Sequence, residues 1–210
     1  MSEQLRDCLR RLPLIAILRG MIPEEAPAVL EALAGFSILE VPLNSPRPLE
    51  SIAYLVRHAG PNVLIGAGTV LSEADVDGVA ATGAKLIIAP NFAPGVVAAA
   101  KARRLIALPG VATPTEAFAA LAAGADGLKM FPGELLPPVA VKAWRAVLPR
   151  DTLLVPTGGV TPENVAAYRA AGADGFGIGS ALYKPGMARD DLAQKAAAFV
   201  AAIRQTSHSV

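Results

Sequence analysis

The sequence of 210 residues is poor in several residue types that mark particular classes of protein. Cys8 is its single cysteine, which excludes an internal disulfide and fits a reducing compartment, so we expect a cytoplasmic protein. The two histidines, His58 and His208, do not follow any apolar β-rich run, so we predict neither a metal site nor a metal cofactor. No apolar stretch approaches the ~20 residues of a membrane-spanning helix, and the N-terminus has no apolar signal core.

An excess of charge of one sign is also lacking. Lysine and arginine number 19 against 18 aspartates and glutamates, which leaves a formal net charge of +1, and the basic residues are scattered along the chain. A nucleic acid or an anionic membrane would require a basic face. We therefore expect neither of these partners and predict a small-molecule ligand instead.

What the chain does contain is apolar aliphatic sequence, repeated at a regular spacing. Hydrophobic residues make up 53% of the chain and aromatic residues only 5%. Short β-rich runs begin roughly every 19 to 26 residues, and the intervals between them are typical of helices. A helical bundle is the main alternative, but regularly placed proline and glycine stops disfavour it. Eight βα units predict a closed (β/α)8 TIM barrel of the α/β class, with residues 1–210 in a single domain. The eight runs are LIAIL (14–18), ILEVP (38–42), VLIGA (63–67), LIIAP (86–90), LIALP (105–109), GLKMF (127–131), LLVPT (153–157) and GFGIG (175–179).

Two charged residues, Glu40 and Lys129, interrupt these apolar runs. They lie on the second and sixth predicted strands, which are opposite in an eight-stranded barrel, so their side chains should approach across one interior cavity. A lysine amine attacks a ketone only when it is unprotonated, and burial increases the unprotonated fraction. Glu40 can supply the general acid and base that imine formation and carbon–carbon cleavage need. The alternative is a buried ion pair with a purely structural role.

Two further polar residues follow predicted strands at the end where barrel enzymes place their active sites. Arg19 directly follows the first strand, where its planar fork can hold a substrate carboxylate or orient Glu40; a salt bridge at the rim is the alternative. Thr69 ends the third strand after two glycines that allow close approach, so its hydroxyl and amide can bind a carboxylate. The alternative for Thr69 is an ordinary helix start.

Glycine-rich loops follow the seventh and eighth strands, with the sequences TGGVTPEN and GIGSALY. We expect each loop to lead into a helix, and backbone N–H groups at glycine turns and helix N-termini bind anions. In TIM barrels these two loops are the usual place for a phosphate. The predicted donors are Gly158, Gly159, Gly179 and Ser180.

At these residues the chain resembles the 2-keto-3-deoxy-6-phosphogluconate and 6-phosphogalactonate aldolase family. The resemblance implies a class I aldolase, without metal or other cofactor and often a homotrimer. It also implies that a phosphorylated 2-keto-3-deoxy sugar acid is cleaved to pyruvate and glyceraldehyde 3-phosphate. The matching segments are PLIAILRG, LEVPLNSP, IGAGTVL, LIIAPN, LKMFP, PTGGVTPEN and GIGSALY.

The resemblance also implies individual roles. Lys129 would be the Schiff-base lysine and Glu40 the general acid and base. The remaining implied substrate contacts are Thr69, Pro90 and Arg19 at the pyruvyl end, Phe131 in the pocket beside Lys129, and the two glycine loops at the phosphate.

Two segments of the sequence bear on the configuration that the enzyme accepts at C4 of the substrate. Phosphogluconate-type members usually carry an arginine after the catalytic glutamate, whereas this chain has Pro42, Leu43 and Asn44, which favours the phosphogalactonate branch. PTGG at 156–159 also resembles the phosphogluconate branch, so the gluconate epimer is the second candidate. From other classes, a phosphosugar isomerase or epimerase gives no role to Lys129. A noncatalytic phosphosugar-binding barrel gives no reason for a lysine and a glutamate in one cavity.

Overall fold

The computed structural model describes residues 2–206, so His208 lies outside the described part. Strands and helices alternate along this part of the chain. The strands are β1 Leu14–Ile17, β2 Ile38–Pro42, β3 Leu64–Gly68, β4 Leu86–Ile88, β5 Ile106–Leu108, β6 Gly110–Val111, β7 Leu128–Met130, β8 Leu154–Pro156 and β9 Phe176–Ile178. The helices are α1 Ser2–Arg11, α2 Ala26–Ala32, α3 Pro48–His58, α4 Glu73–Ala81, α5 Pro94–Ala102, α6 Pro114–Ala122, α7 Pro138–Arg145, α8 Val165–Ala170 and α9 Arg189–Thr206.

The strands form a parallel barrel built from two hydrogen-bonded sheets. One sheet has the order β5-β4-β3-β2-β1-β9 and the other the order β6-β7-β8. At one seam the chain runs directly from β5 into β6 through Pro109, which has no N–H to continue a ladder. At the other seam a single parallel bridge joins Thr157 to Gly177. Each of the eight predicted runs contains a strand, so the TIM-barrel prediction is confirmed. The fifth run ends at Pro109, and the chain continues beyond it as the short strand β6.

Side chains alternate between the barrel interior and the layer under the helices. The interior cluster holds alternate residues such as Ile38, Leu64 and Leu108, while their neighbours join the larger cluster packed against the helices. Helix α1 contributes Leu5 and Leu9 to the interior cluster, so it closes the N-terminal end of the barrel. Since Glu40 is two residues from Ile38, it points into the same interior, as the parity of the strands predicted.

Polar side chains fix the starts of two helices and of two strands. Ser72 and Thr113 form capping boxes at the start of α4 and α6. The segment AAGADG occurs twice, before β7 and before β9. Its aspartates accept a backbone N–H from an earlier strand, Asp126 from Ala107 at 2.9 Å and Asp174 from Leu154 at 2.7 Å. These bonds fix the entry of β7 and β9 into the barrel.

None of the helices in residues 2–206 is both long enough and apolar enough to span a membrane.

Candidate active site

A cavity of about 780 Å³ opens at the C-terminal ends of β1, β7, β8 and β9. This volume suits a small-molecule ligand. Seven of the predicted site residues line it, while Glu40, Thr69 and Pro90 do not. The seven are Arg19, Lys129, Phe131, Gly158, Gly159, Gly179 and Ser180.

Lys129 lies in the middle of β7 and is only 5% exposed. Its strand pairs with Gly110 on one side and Val155 on the other. Burial lowers the pKa of the Lys129 ammonium, and nearby Arg19 lowers it further, while Glu40 acts in the opposite direction. The Nζ atom lies 4.5 Å from the centroid of the Phe131 ring. The amine is therefore poised to be unprotonated more often than a surface lysine.

Glu40 lies on β2 and is 1% exposed. A Cβ on Gly68 would come within 2.1 Å of Glu40 Oε2, so the carboxyl group fits only because residue 68 is glycine. Burial raises the pKa of Glu40 from its ordinary value of 4.5 to about 7, although Lys129 and Arg19 both act to lower it. Glu40 can therefore release and take up a proton near neutral pH.

Glu40 and Lys129 influence each other electrostatically without forming an ion pair. Among the described side chains, no carboxylate oxygen of Glu40 lies within 4.0 Å of Lys129 Nζ, and Glu40 Oε2 accepts no hydrogen bond. A structural ion pair was the alternative predicted from sequence, and this geometry does not contain one. An unpaired buried polar atom is costly to a fold, and such atoms recur at functional sites.

Arg19 is exposed at the rim of the cavity just after β1. Its Nη1 donates a hydrogen bond of 2.9 Å to Asn44 Oδ1, and none of the salt bridges among the described residues includes it. The alternative of a rim salt bridge is therefore wrong. Asn44, the residue that distinguishes this chain from the phosphogluconate pattern, orients the guanidinium.

Thr69 and Pro90 follow β3 and β4 and are both half-buried. Thr69 has φ +54°, a left-handed conformation that is unfavourable for a β-branched residue and that clusters at functional sites. Helix α4 begins only at Glu73, so the helix-start alternative for Thr69 is wrong. The Pro90 carbonyl packs against Gly110, where a Cβ would approach it to 2.3 Å. Their substrate contacts stay predictions.

The first glycine loop has the backbone conformation that an anion site needs. Gly158 and Gly159 have φ +100° and +65°, which favour glycine, and both line the cavity. Helix α8 begins shortly afterwards, at Val165. The second loop differs from the prediction. Gly179 and Ser180 line the cavity but lead into a single turn, and α9 begins only at Arg189.

Three of the cavity residues that were not predicted from the sequence have titratable side chains. Glu134, on a short 3₁₀ turn, places its carboxylate beside Gly158, where a Cβ would meet Oε2 at 2.4 Å. Tyr183 and Lys184 lie beyond the second glycine loop and line the cavity as well. Tyr183 belongs to the GIGSALY segment, so its position after the eighth strand was the available signal. Nothing in the sequence marked Glu134.

Among residues 2–206 no group of three or more histidine, cysteine, aspartate or glutamate side chains is arranged to hold a metal ion. His58 is exposed at the end of α3.

Comparisons with known proteins bear on the family of this barrel. Residues 5–198 match the family model of the KDPG and KHG aldolases. The chain is 51% identical over 192 residues to the probable 2-dehydro-3-deoxy-6-phosphogalactonate aldolase of Rhizobium meliloti (strain 1021), covering 90% of this chain and 91% of that protein. It is 49% identical over 197 residues to the 2-dehydro-3-deoxy-6-phosphogalactonate aldolase of Escherichia coli (strain K12), covering 93% and 96% of the two chains.

A solved structure described as native KDPGal superposes with a TM-score of 0.92 at 48% sequence identity, covering 94% of this chain and 97% of that one. The family resemblance inferred from the motifs is thereby confirmed. The chain belongs to the KDPG and KHG aldolase family, whose members are class I, Schiff-base aldolases, and it is accordingly a lyase.

Proposed function

We propose that this enzyme reversibly cleaves 2-dehydro-3-deoxy-6-phosphogalactonate to pyruvate and D-glyceraldehyde 3-phosphate, with residues 1–210 forming one barrel domain. The observation that carries the proposal is the buried Lys129 amine in a cavity that also receives two glycine-rich loops. One cavity thus offers an amine for the ketone and glycine-loop backbone N–H groups for the phosphate of a substrate that carries both.

The first chemical step is imine formation on Lys129. The unprotonated Nζ attacks the C2 ketone, and the resulting carbinolamine loses water to give a protonated imine. The ketone oxygen takes one proton from solvent as the carbinolamine forms. The Glu40 carboxylate then takes a proton from the nitrogen and passes it to the hydroxyl, which leaves as water, and the nitrogen keeps its remaining hydrogen as the protonated imine. The Glu40 pKa of about 7 supports both directions of transfer.

The second step breaks the bond between C3 and C4. A base removes the proton of the C4 hydroxyl, C4 becomes the aldehyde carbon of glyceraldehyde 3-phosphate, and the bonding electrons move to the protonated imine nitrogen. The enamine that forms is protonated at C3, and water releases pyruvate from Lys129. Glu40, whose charge is coupled to that of Lys129, serves as the proton carrier.

The ends of the substrate occupy separate groups of residues. Arg19, held by Asn44, pairs with the substrate carboxylate, and Thr69 and Pro90 border the pyruvyl part. Phe131 covers the reacting carbon beside Lys129. The phosphate lies between the backbone N–H groups of the two glycine loops. The positive φ angles of Gly158 and Gly159 support this placement.

The substrate preference gives the test of the proposal. We expect kcat/KM for the 6-phosphate of 2-keto-3-deoxygalactonate to exceed that for the gluconate epimer by at least about tenfold, the discrimination that a few hydrogen bonds provide. Two relatives that are about half identical carry the galactonate name, and this supports the galactonate epimer over the gluconate. Pyruvate release, coupled to a dehydrogenase, measures both substrates.

A preference for the gluconate compound would overturn the assignment at C4 and leave the aldolase chemistry standing. Release from neither compound would contradict the proposed function. Borohydride reduction in the presence of pyruvate, followed by mass measurement, is the control that reports imine formation independently of the aldol partner.

We also propose that the enzyme assembles as a homotrimer. Leu135 and Val139 are 75% and 70% exposed beside β7, while Leu49 and Leu71 are exposed beside β3, on the other side of the barrel. A three-fold ring needs two different patches on each copy, and these two apolar areas meet that requirement. Sedimentation equilibrium should give three times the chain mass, and Val139→Glu should reduce it. A monomeric mass for the unaltered protein would refute the trimer.

A further inference from the structure

The connection from β9 to α9 forms a whole wall of the cavity. It contributes Gly179, Ser180, Ala181, Tyr183, Lys184 and Pro185. Its first part is a turn closed by bonds from the N–H groups of Leu182 and Tyr183 to the Gly179 carbonyl, and a second turn is closed by a bond of 3.1 Å from the Met187 N–H to the Lys184 carbonyl. The following residues up to Arg189 have no helix or strand. The two turns fix the local backbone, and a contact from another part of the chain fixes where the connection lies against the barrel.

Glu25 supplies that contact from a different part of the chain. Tyr183 Oη donates a hydrogen bond of 2.8 Å to Glu25 Oε2, and the Gly186 N–H donates one of 2.5 Å to Glu25 Oε1. These two hydrogen bonds hold the connection at Tyr183 and at Gly186, on either side of Lys184 and Pro185. Glu25 is itself fixed, because the Ile22 N–H donates a bond of 3.0 Å to Oε2 within the 3₁₀ turn Pro23–Glu25.

The residues next to the two Glu25 hydrogen bonds are tightly packed. A Cβ on Gly20, the residue after Arg19, would approach Pro185 Cγ to 2.6 Å, and Gly20 has φ +83°. Tyr183 is almost completely buried, and burial together with Glu25 raises the pKa of its phenol, so it stays a hydrogen-bond donor at neutral pH. A small displacement of the turn would therefore be felt in the cavity wall.

We propose that Glu25 is a positioning residue for the phosphate end of the substrate, holding the Tyr183–Gly186 turn so that the Gly179 and Ser180 amides and the Lys184 ammonium face the phosphate. This rests on the proposed function. Glu25 does not line the cavity and does not touch the substrate. Its negative charge by itself would weaken phosphate binding, so its effect through position has the opposite sign to its effect through charge.

The experiment compares Glu25→Gln and Tyr183→Phe with the unaltered enzyme. An amide side chain can keep the Ile22 and Tyr183 bonds, but it turns an N–H toward the Gly186 N–H and loses that bond. Tyr183→Phe removes the other bond without changing charge. We expect KM for the phosphorylated substrate to rise about tenfold in Glu25→Gln and about threefold or more in Tyr183→Phe, with kcat within about threefold.

Two further readouts separate positioning from general damage. The rate of borohydride trapping with pyruvate should be unchanged, because pyruvate has no phosphate. The preference for the phosphorylated over the unphosphorylated substrate should fall about as much as KM rises. Glu24→Gln is the matched control: it removes the same charge from the neighbouring residue, whose partner is Arg47, and should leave KM within about twofold.

The outcomes are distinct. If both variants keep the KM of the unaltered enzyme, or if KM falls in Glu25→Gln, the positioning role is refuted. It is equally refuted if the unphosphorylated substrate and pyruvate trapping lose as much as the phosphorylated substrate. Should Glu25→Gln fail to fold, Tyr183→Phe decides alone, because it deletes a single hydroxyl. Failure of the unaltered enzyme to trap pyruvate would instead contradict the proposed function.

Discussion

Replacement of Lys129 by methionine is expected to lower kcat/KM by at least about 10⁴-fold, the size of effect found when a covalent nucleophile is removed. Methionine has a similar volume and suits a buried position, so the barrel should keep its packing. The lost amine is the group that we propose forms the imine, and among residues 2–206 no other lysine lines the cavity from a strand. Pyruvate release and borohydride trapping with pyruvate measure the two consequences, and both should disappear.

Lys142→Met is the control for this substitution, because Lys142 is exposed on α7, remote from the strand ends. It should retain activity and trapping within about twofold. A Lys129→Met enzyme that still forms a reducible adduct with pyruvate would show that a different amine carries the chemistry. Lys184 would then be the next lysine to replace, since it lines the same cavity.

Replacement of Glu40 by glutamine is expected to reduce kcat by about 10²- to 10⁴-fold, the usual contribution of a general acid/base. The variant should also change the pH profile. In the unaltered enzyme kcat/KM should rise with pH through about 7, as the Glu40 carboxylate forms. This rise of kcat/KM should be absent in Glu40→Gln. Glu134→Gln, a change at the glutamate that lines the cavity, should keep the rise of kcat/KM with pH. If the rise of kcat/KM persists in Glu40→Gln, a group other than Glu40 is responsible for it.

The raised pKa of Glu40 also predicts how stability changes with pH. Between pH 4.5 and about 7 the folded protein binds the Glu40 proton more tightly than the unfolded chain does, so this residue's contribution to stability is lost as pH rises through about 7. The loss is on the order of 3 kcal/mol. Glu40→Gln carries no such charge, so its Tm relative to the unaltered enzyme should be higher at pH 8 than at pH 5. Thermal unfolding at the two pH values measures the difference.

The sequence was sufficient to place the central pair because strand periodicity is a strong signal. A charged residue inside an apolar run has to be explained, and the order of the strands put Glu40 and Lys129 in the same barrel interior. The sequence did not show that the two remain unpaired, since that depends on the room that Gly68 leaves for the carboxyl group. Distances between side chains depend on packing, and periodicity carries no information about them.

Contacts between distant segments were the main omission. Glu25 and Tyr183 lie far apart in the sequence, and a glutamate at the start of a helix is ordinarily read as a local capping residue. The helix expected after GIGSALY was also misplaced, because a glycine-rich loop predicts an anion site more reliably than it predicts where the next helix begins. The left-handed Thr69 had no signal, since threonine normally avoids that conformation.

The two seams of the barrel separate the reacting groups mechanically. Glu40 belongs to the six-stranded sheet and Lys129 to the three-stranded one, and the sheets meet at Pro109 and at the single bridge from Thr157 to Gly177. Gly177 permits that bridge, because a Cβ there would come within 2.3 Å of Thr157 Oγ1. The strand ladders are interrupted along these two lines, where separate bonds such as that of 2.9 Å from the Lys129 N–H to the Pro109 carbonyl join the sheets. We therefore expect the spacing of the amine and the carboxyl group to adjust to successive intermediates more easily than the spacing of two groups within one sheet.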